Sequence, residues 1–225
     1  MGVRGMYELA RGPLLWLAVV VFVAGIAYRI AELFFLTKKK ERVSWPKRGI
    51  RTDSPEERKL RPILSFQHSL IGKHPVMAIV SGVFHLCLFA SPILAKGHAF
   101  LLRQSWGVSF WSLPSSLIDV LTVIVLLGVL FLFMRRAMLP RVRAVSSLND
   151  FLFLFIAAAP YLTGFLAYHQ WFEYRTVLTL HMLAGELMLI AIPFTKLSHM
   201  VFFFFVRGFM GSEHSIARGD RVWSA

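Results

Sequence analysis

Apolar residues gather into five long runs, separated by shorter polar stretches. The runs are Pro13 to Leu36, Pro75 to Leu102, Leu117 to Met134, Asp150 to Tyr168 and Thr176 to Val206. A membrane-spanning helix needs about 20 mostly apolar residues, with some latitude, and each run meets that need. Backbone groups in hydrocarbon must be hydrogen-bonded within their own segment, so the runs predict helices rather than strands. The first run is too long for a cleaved signal peptide, and no small-residue cleavage site follows it before Lys38. It reads as a retained span. The expected fold is therefore an all-α integral membrane protein with five transmembrane helices, at about 13–36, 75–102, 117–134, 150–168 and 176–206. They form a single domain over 1–225, with a basic loop at 37–74 and a tail at 207–225.

The polar stretches have their own patterns. The long loop carries Pro46, Gly49 and Pro55 in its charged first part. Its second part, PILSFQHSLIG, reads as an amphipathic segment lying at a membrane surface. The stretch from Arg103 to Ser116 carries Trp106, Phe110 and Trp111, which fits an interfacial aromatic belt. There is no internal repeat and no low-complexity segment.

Composition sharpens this picture. The 225 residues are 56% hydrophobic and only 16% charged, where a soluble domain carries about 25% charged residues. Such apolar content excludes disorder. Lys and Arg total 25 against 12 Asp and Glu, a formal net charge of +13. A soluble nucleic-acid binder would have to mix that charge with 21 Phe and 6 Trp on one surface, so no nucleic-acid partner is expected. The charge is instead topological. With the N-terminus outside, the outer segments hold 5 basic residues, Arg4, Arg11, Lys96, Arg103 and Arg175, and the inner side the other 20. The positive-inside rule then places the N-terminus outside and the C-terminus in the cytoplasm. The basic loop also suits docking of a partner, and the two roles are compatible.

Candidate chemistry comes next. Cys87 is the only cysteine, which excludes a disulfide framework and an iron–sulfur cluster. No C-x-x-C-H, G-x-G-x-x-G, Walker loop or H-E-x-x-H is present, so nothing supports covalent haem, a kinase or a hydrolase. Ionisable residues at membrane depth are costly and mark function, and here they are mainly histidines. His85 lies within the second run, with His74 and His98 at its ends. His169 ends the fourth, and His181 and His199 lie in the fifth. His68 and His214 are peripheral. His181 and His199 are 18 residues apart, which on a continuous helix returns to the same face after a rise of about 27 Å. Two imidazoles on one face, opposite a histidine-bearing helix, suit two stacked b-type haems, each iron taking one ligand from each helix. Two isolated histidines bonded to neighbouring carbonyls are the plainer alternative.

These segments also resemble a known family. LHMLAGELMLIAIPFTKLSHM resembles the fifth helix of the membrane cytochrome b subunit, the gamma subunit, of respiratory nitrate reductase. RRAMLPRVRAVSSLNDFLFL resembles the segment joining that family's third and fourth helices, and VFHLC and GH resemble its second-helix histidine motifs. The resemblance covers most of the chain from His74 to Val206. YLTGFLAYHQW and FFFF look most like the branch found in transmembrane redox complexes of sulfate-reducing bacteria, the high-molecular-weight cytochrome c complex type. The resemblance implies a dihaem cytochrome b subunit of a respiratory complex in a bacterial inner membrane. Two b haems would sit between helices two and five. Electrons would pass between a periplasmic multihaem cytochrome c, or menaquinol, and a cytoplasmic iron–sulfur subunit. Such a chain is an electron-transfer subunit and not a stand-alone enzyme.

By the family's motifs the haem-iron ligands are His85, His98, His181 and His199. Depth agrees, pairing His98 with His181 on the outer side and His85 with His199 on the inner. Helical phase disagrees. His85 and His98 are 13 residues apart, about 140° out of phase on an ideal helix, whereas His74 and His85, 11 apart, differ by only about 20°. That leaves His74 as the alternative to His98, with Pro92 able to rewind the helix between them. The family's own spacing is also shorter than this one. A quinone pocket is expected near the outer haem from Lys96, Gly97, His169 and Glu186, with Tyr168 beside them. Glu186 either takes a proton from quinol or bonds a neighbouring helix. Arg135, Arg136, Arg141 and Arg143 are candidates for haem propionates or lipid phosphates. Asp119 and Asp150, near helix ends, are expected to cap or stay hydrated. The competing expectation is a haem-free membrane anchor for a redox complex, with its histidines scattered over unrelated faces.

Overall fold

The structure is a computed structural model, and it describes residues 2–38 and 74–203. The basic loop, the amphipathic segment after it, His68, His214, the end of the fifth run and the tail lie outside the described residues. Numbered over the described residues, the helices are α1 (Val3–Leu9), α2 (Leu15–Lys38), α3 (Pro75–Leu94), α4 (Lys96–Trp106), α5 (Ser115–Met138), α6 (Pro140–Arg143), α7 (Leu148–His169) and α8 (Tyr174–Phe194). Five helices are long and apolar enough to cross a membrane, namely Arg4–Phe35, Pro75–Leu94, Ser115–Met138, Leu148–His169 and Tyr174–Phe194. This is the make-up of a multi-pass membrane protein, and no strand occurs among the described residues. Large apolar side chains stay exposed along the spans, Leu86 at 70% and Phe155 at 67%. Such faces suit lipid or a packed partner.

The first span begins ten residues earlier than the apolar run suggests, because α1 and α2 are joined by a π-turn, Ala10–Leu14. Pro13 sits inside that turn. Proline offers no backbone N–H, so the helix ladder must widen around it. The third and fourth spans match their apolar runs to within a few residues at each end. In the fourth, a capping box between Ser147 and Asp150 fixes the start of α7, as expected for Asp150.

The second and fifth runs are each broken, where unbroken helices were expected. The helix beginning at Pro75 stops at Leu94, Ala95 is extended (φ −71°, ψ 130°), and α4 starts afresh at Lys96. The helix beginning at Tyr174 stops at Phe194, Thr195 is extended, and a 3₁₀ turn, Lys196–Ser198, follows before helix resumes at 199. A proline precedes each break, Pro92 in one and Pro193 in the other. Each removes a hydrogen bond from the turn before it and weakens the helix there. Carbonyls freed at the first break find partners. The N–H of Leu113, in the loop after α4, donates to the Leu94 carbonyl at 2.9 Å. Gly107 closes α4 in the left-handed region (φ 69°), where its N–H bonds the Arg103 carbonyl.

Helix α8 is the hub, packing against α7 and α2, while α3 packs on α5 and α5 on α7. A small apolar core of Phe84, Cys87, Val125 and Tyr161 joins α3, α5 and α7. The Tyr161 hydroxyl donates to the Leu88 carbonyl across that core. Contacts at the bundle ends fix relative direction. At the N-terminal end, Arg175 lies over the Tyr7 ring and Arg11 bonds Gln104. At the other end, Lys196 bonds Asp150 at 2.7 Å and a Cβ on Gly25 would lie 2.7 Å from Pro193. The first and last spans are therefore parallel.

Candidate functional site

Four of the candidate histidines meet in two pairs. His98 and His181 have ring centres 5.9 Å apart with planes 12° from parallel. His85 and His199 have ring centres 5.9 Å apart with planes 85° apart. Two imidazoles ligating one metal through Nε2, at about 2.0–2.1 Å each, have their centres roughly 6 Å apart. The spacing thus fits an iron held between each pair.

The second ring nitrogen is fixed in the same way at all four positions. Nδ1 of His85 lies 2.7 Å from the Ser81 carbonyl, and that of His98 lies 2.7 Å from the Pro92 carbonyl. Nδ1 of His181 lies 2.8 Å from the Pro160 carbonyl, and that of His199 lies 2.7 Å from the Lys196 carbonyl. A carbonyl oxygen only accepts, so in each case Nδ1–H donates. A neutral ring then keeps its lone pair on Nε2, which is the orientation that metal-ligating histidines adopt.

The helix breaks make these anchors possible. In an unbroken helix the Pro92 carbonyl would accept from residue 96. The break at Ala95 frees it, and His98 takes it up. The break also resets helical phase, which is why the ideal-helix argument against His98 fails. His199 likewise hangs from the 3₁₀ turn after the break at Thr195. The run from His181 to His199 is therefore not the one continuous helix that the 18-residue period assumed. His74, the alternative to His98, caps α3 at its N-terminus, is exposed, and meets no other histidine among the described residues.

Helices α3 and α8 share no extended packed seam, and the two imidazole pairs bring α3 and α4 together with α8 and the turn after it. Gly164 of α7 backs the first pair, where an added Cβ would sit 3.0 Å from His181 Cε1. Phe84 packs edge-on against His85 at 5.2 Å. Among the described residues no three His, Cys, Asp or Glu side chains converge as a metal cluster would. Haem asks the protein for only two axial ligands, so a pair suffices.

The other candidates are not gathered into one cavity. Lys96 and Gly97 are exposed beside His98, and nothing lies within 4 Å of a Cβ on Gly97. His169 is held elsewhere, its Nε2 3.0 Å from Asp119 and its ring among Phe165, Tyr168 and Trp171. Asp119 therefore pairs with a histidine, where capping or hydration was expected. Glu186 is 3% exposed on α8 with neither carboxylate oxygen hydrogen-bonded. Of the four arginines, Arg136 has a buried, unpartnered Nη1. Just outside the last span, Glu173 caps α8 by accepting from the N–H groups of Thr176 and Arg175. Bonds from Thr176 and then Arg175 hold its carboxyl below the ordinary value. Sequence reasoning missed the Nδ1–carbonyl anchors, although Pro92 and Pro193 signalled the breaks that create two of them.

A protein of Nitratidesulfovibrio vulgaris strain Hildenborough is 34% identical over 216 residues, covering 95% of this chain and 96% of that one. The chain belongs to that protein's family. No family model matches the chain, and no solved structure matches it.

Proposed function

We propose that the chain is a dihaem cytochrome b subunit of a membrane redox complex, carrying electrons across the bilayer. The observation that carries this reading is the double histidine pairing, each ring anchored through Nδ1, which leaves Nε2 free to bind a metal. A haem b at each pair would supply a one-electron carrier. His85 bonds the Ser81 carbonyl and His98 the Pro92 carbonyl, so the two pairs sit at different levels along α3. Two carriers at those levels divide the crossing into steps.

This chain's residues have separable tasks. The carbonyls of Ser81, Pro92, Pro160 and Lys196 hold the four rings and fix their tautomer. Phe84 and Gly164 shape the space behind two of them. Arg136, with a buried guanidinium nitrogen free, is the cation best placed to hold a propionate. With the N-terminus outside, His98 and His181 form the outer pair and His85 and His199 the inner pair. Electrons would enter from a periplasmic multihaem cytochrome or from menaquinol near the exposed Lys96 and Gly97. They would leave to a cytoplasmic iron–sulfur partner, which the basic cytoplasmic face would attract. The resemblance to nitrate reductase gamma subunits supports the same reading, in a bacterial inner membrane.

The test is a pyridine haemochrome determination on the purified full-length protein. About two b haems per chain are expected. Less than one would leave the haem-free anchor as the better account.

A further inference from the structure

Glu186 has no task in that scheme. It is 3% exposed, and neither oxygen has a hydrogen-bond partner among the described residues. An unpaired carboxylate in an apolar seam is costly enough that such a group needs an explanation.

Its surroundings follow from helix register. Tyr7 meets Arg175 and Gly25 meets Pro193, both pairs 168 residues apart in sequence. The same offset brings Ala18, which is 0% exposed, to the level of Glu186. The carboxyl therefore lies in the seam between α2 and α8. No ionisable residue occurs in the first span between Arg11 and Tyr28. On α7, the contacts Pro160–His181 and Asp150–Lys196 put residues 155–160, Phe-Ile-Ala-Ala-Ala-Pro, at this level. Tyr161 just beyond them bonds away to Leu88, and Asp150 is met by Lys196. Along the same segment the nearest ionisable side chains are His181 on α8 and Lys196 in the turn after it, each committed elsewhere.

Among the described residues Glu186 is thus an acid without a cation, lying in depth between the two histidine pairs. An oxidised iron in a porphyrin with two neutral imidazoles carries net positive charge, and that charge disappears on reduction. We propose that Glu186 is a redox-linked proton site, holding a negative charge while the centre at His98 and His181 is oxidised and binding a proton when that centre is reduced. The inference rests on the dihaem reading. One electron comes from a quinol or a reduced cytochrome, and one proton leaves water and bonds a Glu186 oxygen. No other bond changes. The acid lies five residues along α8 from His181, close enough in a low-dielectric interior for the two charges to interact.

The test is a redox titration of the full-length protein at a series of pH values, with haem counted in every sample. In the wild type, the equilibrium constant for reducing the His98–His181 centre should fall up to about tenfold per pH unit over part of the range, as linkage of one proton to one electron requires. Glu186→Gln should keep its haem and lose that dependence, while Glu186→Asp should retain it. The reduced-minus-oxidised infrared spectrum should show a carboxylic acid band in the wild type that Glu186→Gln lacks. Equal pH dependence in Glu186→Gln and wild type overturns the inference and leaves the dihaem reading standing. Less than one haem per chain overturns that reading and the inference with it. Should Glu186→Gln fail to fold, the infrared band decides: a band that does not move in Glu186→Asp overturns the inference.

Discussion

Replacing Gly164 by alanine probes how the His98–His181 pair is held. The added methyl would meet His181 Cε1 at 3.0 Å and Nδ1 at 3.1 Å, whereas ordinary contacts lie near 3.5–4.0 Å. A few tenths of an ångström must be found. The imidazole cannot supply them freely, because its Nδ1 is tied to the Pro160 carbonyl at 2.8 Å on the same helix that carries the methyl. Either that hydrogen bond stretches or α7 and α8 move apart. Overpacking of this kind costs about 1–3 kcal/mol, which in haem affinity at that pair is roughly 5- to 150-fold. The His85–His199 pair lies at another depth and shares none of these contacts. Haem titration of Gly164→Ala, followed by absorbance and electron paramagnetic resonance, should show one site weakened and one unchanged. Equal weakening of both sites, or loss at the His85–His199 site alone, would refute the reasoning.

Other substitutions test separate parts of the structure. His74→Ala should keep a full haem complement, since the exposed His74 side chain at the α3 N-cap meets no other histidine among the described residues; loss of one haem, counted by pyridine haemochrome, would restore the alternative scheme. Gly25→Ala puts a methyl 2.7 Å from the rigid Pro193 ring. It should destabilise the α2–α8 seam by about 1–3 kcal/mol, visible as a lower thermal midpoint in detergent. Glu173 should stabilise the start of α8 in a pH-dependent way. Its carboxyl titrates below the unfolded value when capping. Its contribution is therefore complete above the unfolded value and is lost as pH falls through the lower, folded one. Amide exchange at Thr176 should quicken across that acidic window and be insensitive to it in Glu173→Gln.

The spans were legible because lipid demands a simple code, long apolar runs with their backbones satisfied internally. Termini were less so, as Pro13 shows. A proline inside an apolar run reads as a helix start, yet the chain passes it with a π-turn. The histidine pairs were legible in identity and only partly in geometry. Residue type and depth selected His85, His98, His181 and His199. Helical phase misled, because periodicity assumes a continuous helix and both histidine-bearing runs are interrupted. Pro92 pointed to one interruption and Pro193, by the same logic, to the other. The Nδ1 anchors were beyond reach, since they depend on which carbonyls a break leaves free. Glu186 could be read as buried, but not as solitary. That follows only from the register of α2 against α8 and from the apolar stretch of α7 at the same level.

The pairing itself is tested most directly by counting haem in single and double histidine variants. The account predicts that His98→Ala and His199→Ala each retain one of two haems, at different sites by their spectra, and that the double variant retains none. If either single variant kept both haems, or if the double variant kept one, the pairs His98–His181 and His85–His199 would not be the iron sites.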